Sequence, residues 1–223
     1  MENKGKYLAF TEKNTTVNGE GGLSTGVSYL KELGVNYVQL LPVFDYVNDE
    51  TDESNLSYDW GYSPLNYQVP EGLYTTDPYD GNVRIREFKQ MVQSLHEEQI
   101  GIVMDVVFNH VGGDAYTSWF KYMVPGYYFR QDKKGKIADS GTDCGNETAS
   151  EREMFRKYMI DTVVYWASEY HIDGFRFDLM GCHDVETMNR IREALDKLPG
   201  GEKILIFELS LPDDDPVYTL KKV

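Results

Sequence analysis

Apolar positions along the chain alternate between helical spacing and short unbroken runs. Ser24 or Thr25 can cap a helix carrying Val27, Leu30 and Leu33, which Gly34 stops. Val35 to Leu41 then reads as a buried strand ended by Pro42. From Asn82, the residues Ile85, Phe88, Val92 and Leu95 mark one face of a helix ending near Gly101, and Ile102 to Phe108 forms the next strand, interrupted only by Asp105. Ser150 and Glu153 have the spacing of a capping box, and Phe155, Met159, Val163 and Trp166 carry that helix toward Tyr170. Strand Ile172 to Asp178 follows. Asp184 caps a helix with Met188, Ile191, Leu195 and Leu198 on its buried side, and after Pro199-Gly200-Gly201 a last strand runs from Ile204 to Phe207 with Glu208 at its end. Two stretches, 46–80 and 111–150, lack a sustained period and are expected as long loops, the second ordered by its aromatic residues.

Alternating strands and helices without hairpin signals predict parallel strands joined by right-handed crossovers. A doubly wound sheet and a (β/α) barrel both satisfy this, and both place chemistry at the carboxyl ends of the strands. Asn109 and His110, Asp178, and Glu208 follow three successive strands, and no strand-to-helix turn holds a glycine-rich phosphate loop. A barrel is therefore expected. About four strands are legible, so the fold expected is α/β, a partial (β/α)8 barrel, with residues 1–223 as one domain.

Within Ile172 to Asp178, alternation puts Arg176 and Asp178 on one face of an otherwise apolar strand. A charge placed there needs a partner. The pair suits a structural ion pair closing a core, and it equally suits an aspartate held ionised by its neighbour and fit to act as a nucleophile.

Composition narrows the ligand. The 223 residues carry a formal net charge of −15, which repels phosphate backbones and acidic lipid surfaces, so neither nucleic acid nor a membrane is expected as partner. Aromatic content of 13% suits stacking on a neutral ring as well as it suits an ordinary core. Two cysteines, Cys144 and Cys182, lack metal-site spacing and are expected as free thiols. No segment has the apolar length of a signal peptide or membrane span, which favours a cytoplasmic setting.

Asp105-Val-Val-Phe-Asn109-His110 and Gly174-Phe-Arg176-Phe-Asp178 together resemble the first two sequence regions of the α-amylase superfamily, glycoside hydrolase family 13. Tyr58-Asp59-Trp60-Gly61-Tyr62-Ser63-Pro64 is similar to the Tyr-Asn-Trp-Gly-Tyr-Asp-Pro signature of its type I pullulanases, with Asp59 in place of Asn and Ser63 in place of Asp. The resemblance implies an α-glucan hydrolase of the debranching type, cleaving α-1,6 bonds with retention. An α-amylase, a branching enzyme and a non-catalytic glucan-binding fragment are the alternatives. The partner it implies is an α-glucan such as pullulan, starch or glycogen. It implies Asp178 as nucleophile, Arg176 as its orienting cation and Glu208 as general acid and base. His110 would bond the sugar, Tyr62 and Trp60 would stack on it, and Asn109 and Asp59 would complete the substrate-binding set, with Asn109 and Asp105 bracing the site. Glu208 matches by position alone, since Ile-Phe-Glu208-Leu-Ser-Leu lacks the flanking residues usual in the family. The family's later His-Asp pair has no counterpart after Glu208, and by resemblance the legible strands would correspond to the second through fifth of the barrel, which implies that residues 1–223 are an incomplete catalytic domain. Calcium near Asn109 would fit by analogy, but no oxygen-rich cluster demands it and no metal or other cofactor is expected.

Overall fold

The computed structural model describes residues 2–17, 19, 21–51, 59–139 and 141–208. In chain order, β1 (Tyr37–Leu40) follows α1 (Gly26–Leu33), and β2 (Phe44–Tyr46) and β3 (Pro64–Pro70) precede α2 (Gly81–Glu97). Then come β4 (Gly101–Val106), α3 (Trp119–Met123), α4 (Glu153–Glu169), β5 (Gly174–Phe177), α5 (Val185–Leu195) and β6 (Leu205–Phe207). The main sheet has the order β1-β4-β5-β6 with every pairing parallel. This sequential order is that of consecutive strands of a (β/α) barrel, and the expected partial barrel is what the chain forms.

Helices cover the outer face because their apolar stripes have the right period. Phe155, Met159, Val163 and Trp166 of α4 are all fully buried, as are Phe88 and Leu95 of α2 and Ile191 and Leu195 of α5. They close over Phe175 and Phe177 of β5. Trp166 ties this layer together, stacking near Tyr170 at 4.5 Å and donating its Nε1–H to the Tyr67 carbonyl at 2.9 Å. The opposite face of the strands carries polar residues: the register places Asp105 beside Arg176. Gly174 permits the strands to pack there, since a Cβ would lie 2.9 Å from that of Leu205.

Several expectations change. The loop foreseen over 46–80 contains β3, which pairs antiparallel with β2 through two register shifts; prolines at both ends of β3 conceal its pattern. Tyr58 lies outside the described residues. The first strand is shorter than Val35 to Leu41 and half exposed, because only β4 flanks it among the described residues. Leu33 and Ile85 face outward. The capping box does not form: Arg152 is the N-cap of α4, and the Ser150 hydroxyl instead bonds the Asp184 carboxylate and backbone N–H, a long-range pairing. Thr25 occupies the N-cap of α1 without a side-chain bond to it, its hydroxyl being engaged with Thr15. The expected loop 111–150 is ordered: Thr148 N–H donates to the Asn109 carbonyl at 3.0 Å, and Asn146 exchanges two bonds with the backbone of Val111. Among the described residues no helix is long and apolar enough to cross a membrane.

At the other end of the sheet, His96 Nε2 lies 2.7 Å from Asp173 Oδ2, which also accepts the Ile102 N–H. The Asp173 bond raises the imidazole above its usual 6.5, against the opposing effect of burial. A raised folded value means stability that is full below about pH 6.5 and lost as pH climbs through that raised value. The thermal midpoint should fall over this window in the native chain and stay flatter in His96→Gln. The difference should be under about 1 kcal/mol because the pair is partly solvated. Equal slopes in the two proteins would rule the linkage out.

Candidate active site

Parallel pairing brings Asp105 of β4 next to Arg176 of β5, and the two-residue period of β5 puts Asp178 on the same face as Arg176. One guanidinium nitrogen serves both: Arg176 Nη1 donates to Asp105 Oδ1 at 2.9 Å and Oδ2 at 3.0 Å, and to Asp178 Oδ1 at 2.9 Å. The Arg176–Asp178 ion pair left open by the sequence forms, and Arg176 shares it with buried Asp105, while Asp178 keeps partial access to solvent. Burial pushes the Asp105 carboxyl up, and Arg176 and the Tyr62 hydroxyl pull it back. Burial works against the charge of Arg176, but Asp105 and Asp178 hold it above the usual arginine value.

Asn109, just beyond β4, donates its amide to Asp178 Oδ2 at 2.9 Å and to the Asp178 carbonyl at 3.2 Å. Its role is bracing. Because that NH2 is committed, Asn109 Oδ1 faces His110 Nδ1 at 2.6 Å, and His110 Nε2 lies 2.7 Å from the Tyr62 carbonyl. Burial lowers the His110 value, opposed by the Tyr62 carbonyl and Asp178, and a neutral ring has one proton for these two oxygens. Sequence reasoning gave His110 to the sugar; here both its nitrogens face protein oxygens, and the ring fastens the Tyr62 loop to the Asn109–Asp178 pair.

Tyr62 donates its hydroxyl to Asp105 Oδ2 at 2.8 Å. Burial, then the Asp105 bond, pushes that phenol well above its usual value, so it remains a donor. Asp59 Oδ1 accepts the Gly61 N–H at 2.7 Å, which turns the loop. Gly61 is required: its φ is +83°, and a Cβ would come within 2.6 Å of the Pro42 carbonyl oxygen. Trp60 is 62% exposed, a free aromatic face at the loop's tip. Thus Asp178, Arg176, Asn109, His110 and Tyr62 converge, while Asp59 shapes the loop and Trp60 stands outside the hydrogen-bonded cluster.

Glu208, after β6, accepts the Met180 N–H on Oε1 at 3.0 Å. Burial raises its carboxyl above the usual range, with Asp178 adding to the effect, while the Met180 amide and Arg176 oppose it. Two neighbouring carboxyls in contrasting surroundings result: Asp178 holds two donors, one cationic, and Glu208 is biased toward retaining a proton. Met180 and the left-handed Leu179 before it, φ 45° and ψ 48°, were not foreseen from sequence. The adjoining Met-Gly-Cys, which no helical or strand period explains, is the only local signal of a turn.

A second carboxylate group, Asp45, Glu50 and Glu71, brings three oxygens within 4.8 Å of one another. Arg84 occupies it, 2.5 Å from Glu50 and 3.8 Å from Asp45, and burial with a Glu50 hydrogen bond pushes Asp45 up to about 7.

The family model for the α-amylase catalytic domain matches residues 9–141. The chain is 47% identical to the pullulanase of Bacillus subtilis (strain 168) over 208 residues, covering 93% of this chain and 28% of that protein. It is 35% identical to Pullulanase 1, chloroplastic, of Arabidopsis thaliana, covering 88% of this chain and 23% of that one. Among solved structures, Paenibacillus barengoltzii pullulanase in complex with maltohexaose and α-cyclodextrin is 49% identical with a TM-score of 0.86, covering 92% of this chain and 31% of that one. This chain thus spans under a third of the length of these relatives. Its partial (β/α)8 barrel and its sequence place the chain in the α-amylase catalytic-domain family.

Proposed function

We propose that this chain is the part of an α-glucan debranching hydrolase that carries the nucleophile and the general acid, cleaving α-1,6-glucosidic bonds with retention. The observation that carries the reading is the placement of Asp178 and Glu208 at the ends of adjacent parallel strands, the first held by Arg176 and Asn109 donors and the second raised above its usual range by burial. Retaining glycosidases need this division, with two carboxyls about 5 to 5.5 Å apart. In the first half-reaction Asp178 attacks the anomeric carbon as Glu208 gives its proton to the departing glycosidic oxygen. In the second, Glu208 takes a proton from water, which attacks the same carbon and releases Asp178. Arg176 and Asn109 keep the Asp178 oxygens in place through both steps. Tyr62 and Trp60 offer ring faces to a sugar, and a neutral glucan also suits a chain of net charge −15.

The substrate class is supported by the oligosaccharides bound in the related structures, maltohexaose and maltotetraose among them. The test is a chimera in which this chain replaces the matching segment of the Bacillus subtilis pullulanase. Pullulan should be cut at its α-1,6 bonds to maltotriose. Cleavage confined to α-1,4 bonds would point to an amylase-type site and refute debranching. Binding of maltooligosaccharide without any cleavage would favour a glucan-binding role.

A further inference from the structure

Asp178 N–H donates to the Val106 carbonyl on β4 at 2.9 Å. Amides two residues apart in a strand point the same way, so an extended chain would aim the Met180 N–H toward β4 as well. Glu208 lies on the other side, after β6. The left-handed conformation of Leu179 reverses the direction and delivers the Met180 N–H to Glu208 Oε1. L residues avoid this conformation because Cβ meets a carbonyl oxygen, and a branched apolar residue gains no local hydrogen bond there. Among the described residues the other non-glycine residues with positive φ are Asn14, Gln99, Asp143 and His171, all polar. Core packing does not account for Leu179 either, since its side chain is 37% exposed. The surroundings fix the turn: Cys182 N–H and His183 N–H close it onto the Leu179 and Met180 carbonyls at 2.9 Å, and Arg130 clamps the Cys182 carbonyl at 2.8 Å. A strained residue held this firmly, directly after a reactive aspartate, calls for a functional account.

We infer that Leu179 is a positioning residue for the second carboxyl: its left-handed turn aims the Met180 N–H at Glu208, fixing Oε1 so that Oε2 carries the proton given to the leaving oxygen. This deepens the reading of Asp178 and Glu208 as the reacting pair and rests on it. The amide stabilises the carboxylate form of Glu208, so it also sets where that group titrates. Among the described residues the other groups facing Glu208 are Arg176 of β5, Asp178 just beyond it and the Cys182 thiol from the turn.

Three variants separate this role from a merely structural one. Replacing Met180 by its α-hydroxy acid exchanges the N–H for an ester oxygen and leaves the side chain. Leu179→Ile adds β-branching, which opposes the turn, and Leu179→Gly adopts it freely. In the 223-residue chain, the 13C carboxyl titration of Glu208, assigned through Glu208→Gln, should move up by about one pH unit in the ester and Ile forms, the tenfold change expected for one lost charge-assisted bond. Leu179→Gly should keep the native midpoint. In the chimera, the alkaline limb of the pH–rate profile should shift upward with the ester, kcat falling while KM holds. If Leu179→Ile fails to fold, the ester form carries the test. An unchanged Glu208 midpoint in the ester form overturns the inference, as does an active chimera whose limb does not move. A shifted midpoint in a chimera that never cleaves pullulan would instead sink the functional reading and leave the Met180 bond standing.

Discussion

Asp178→Asn in the chimera is expected to lower pullulan hydrolysis by roughly four orders of magnitude or more, the usual scale when a covalent route is blocked. The change keeps the shape of the side chain and removes the charge that attacks the sugar. Its structural cost is small and can be located. Arg176 Nη1 can still donate to an amide oxygen at the Oδ1 position, but at Oδ2 the new NH2 would meet the Asn109 Nδ2 donor at the present 2.9 Å spacing. One hydrogen bond is lost, about 1 to 2 kcal/mol, and Arg176 retains its double contact with Asp105. The variant should therefore fold, with its circular dichroism intact and its thermal midpoint lowered by a few degrees. A folded variant retaining a tenth of the native rate would exclude Asp178 as nucleophile. An unfolded one would mean that Asp178, rather than Asp105, is the principal partner holding Arg176 in the sheet.

Features that depend on neighbours in sequence were legible, and features that depend on distant partners were not. The buried face of α4 follows from a 3.6-residue period, and Phe155, Met159, Val163 and Trp166 are where that period puts them. The same holds for Arg176 and Asp178, which a two-residue period places together. The pairing of β2 with β3 crosses a long intervening segment with an irregular register, so no local signal announces it. Ser150 has the spacing for a cap, but its hydroxyl is engaged by Asp184, 34 residues away. For His110 the sequence offers only its position at a strand end; its contact with the Tyr62 carbonyl is hidden because that carbonyl belongs to another loop. Leu179 shows the limit most clearly, since a leucine advertises no positive φ and only the fixed direction of its neighbours' hydrogen bonds requires one.

Expressed alone, the 223-residue chain is expected to hydrolyse pullulan far more slowly than one turnover per second, an ordinary enzyme rate. Among the described residues β1 pairs only with β4 and β6 only with β5, so the sheet has two open parallel edges where a closed barrel has none. Apolar surface is uncovered beside them: Tyr37 and Leu41 at one edge, Leu205 at the other, and a groove of about 360 Å³ lined by Tyr7, Phe10, Leu40, Val43 and Met91. Such edges favour self-association over a rigid monomer. The chemistry suffers too. As the proposed reacting pair, Asp178 and Glu208 would need a site that excludes water and surrounds the developing positive charge of the sugar, and strands on one side of the mouth cannot enclose it. Water entering there would screen the Arg176–Asp178 pair and weaken its hold on the charge that develops at the sugar. Both effects act on the same glycosylation step. The chain should be purified as a monomer and assayed for new reducing ends on pullulan and on maltooligosaccharides, with the chimera as positive control. Turnover near one per second by the monomer would mean that four strands suffice to hold the two carboxyls and shield them, and the view that this site needs a closed barrel would have to be abandoned.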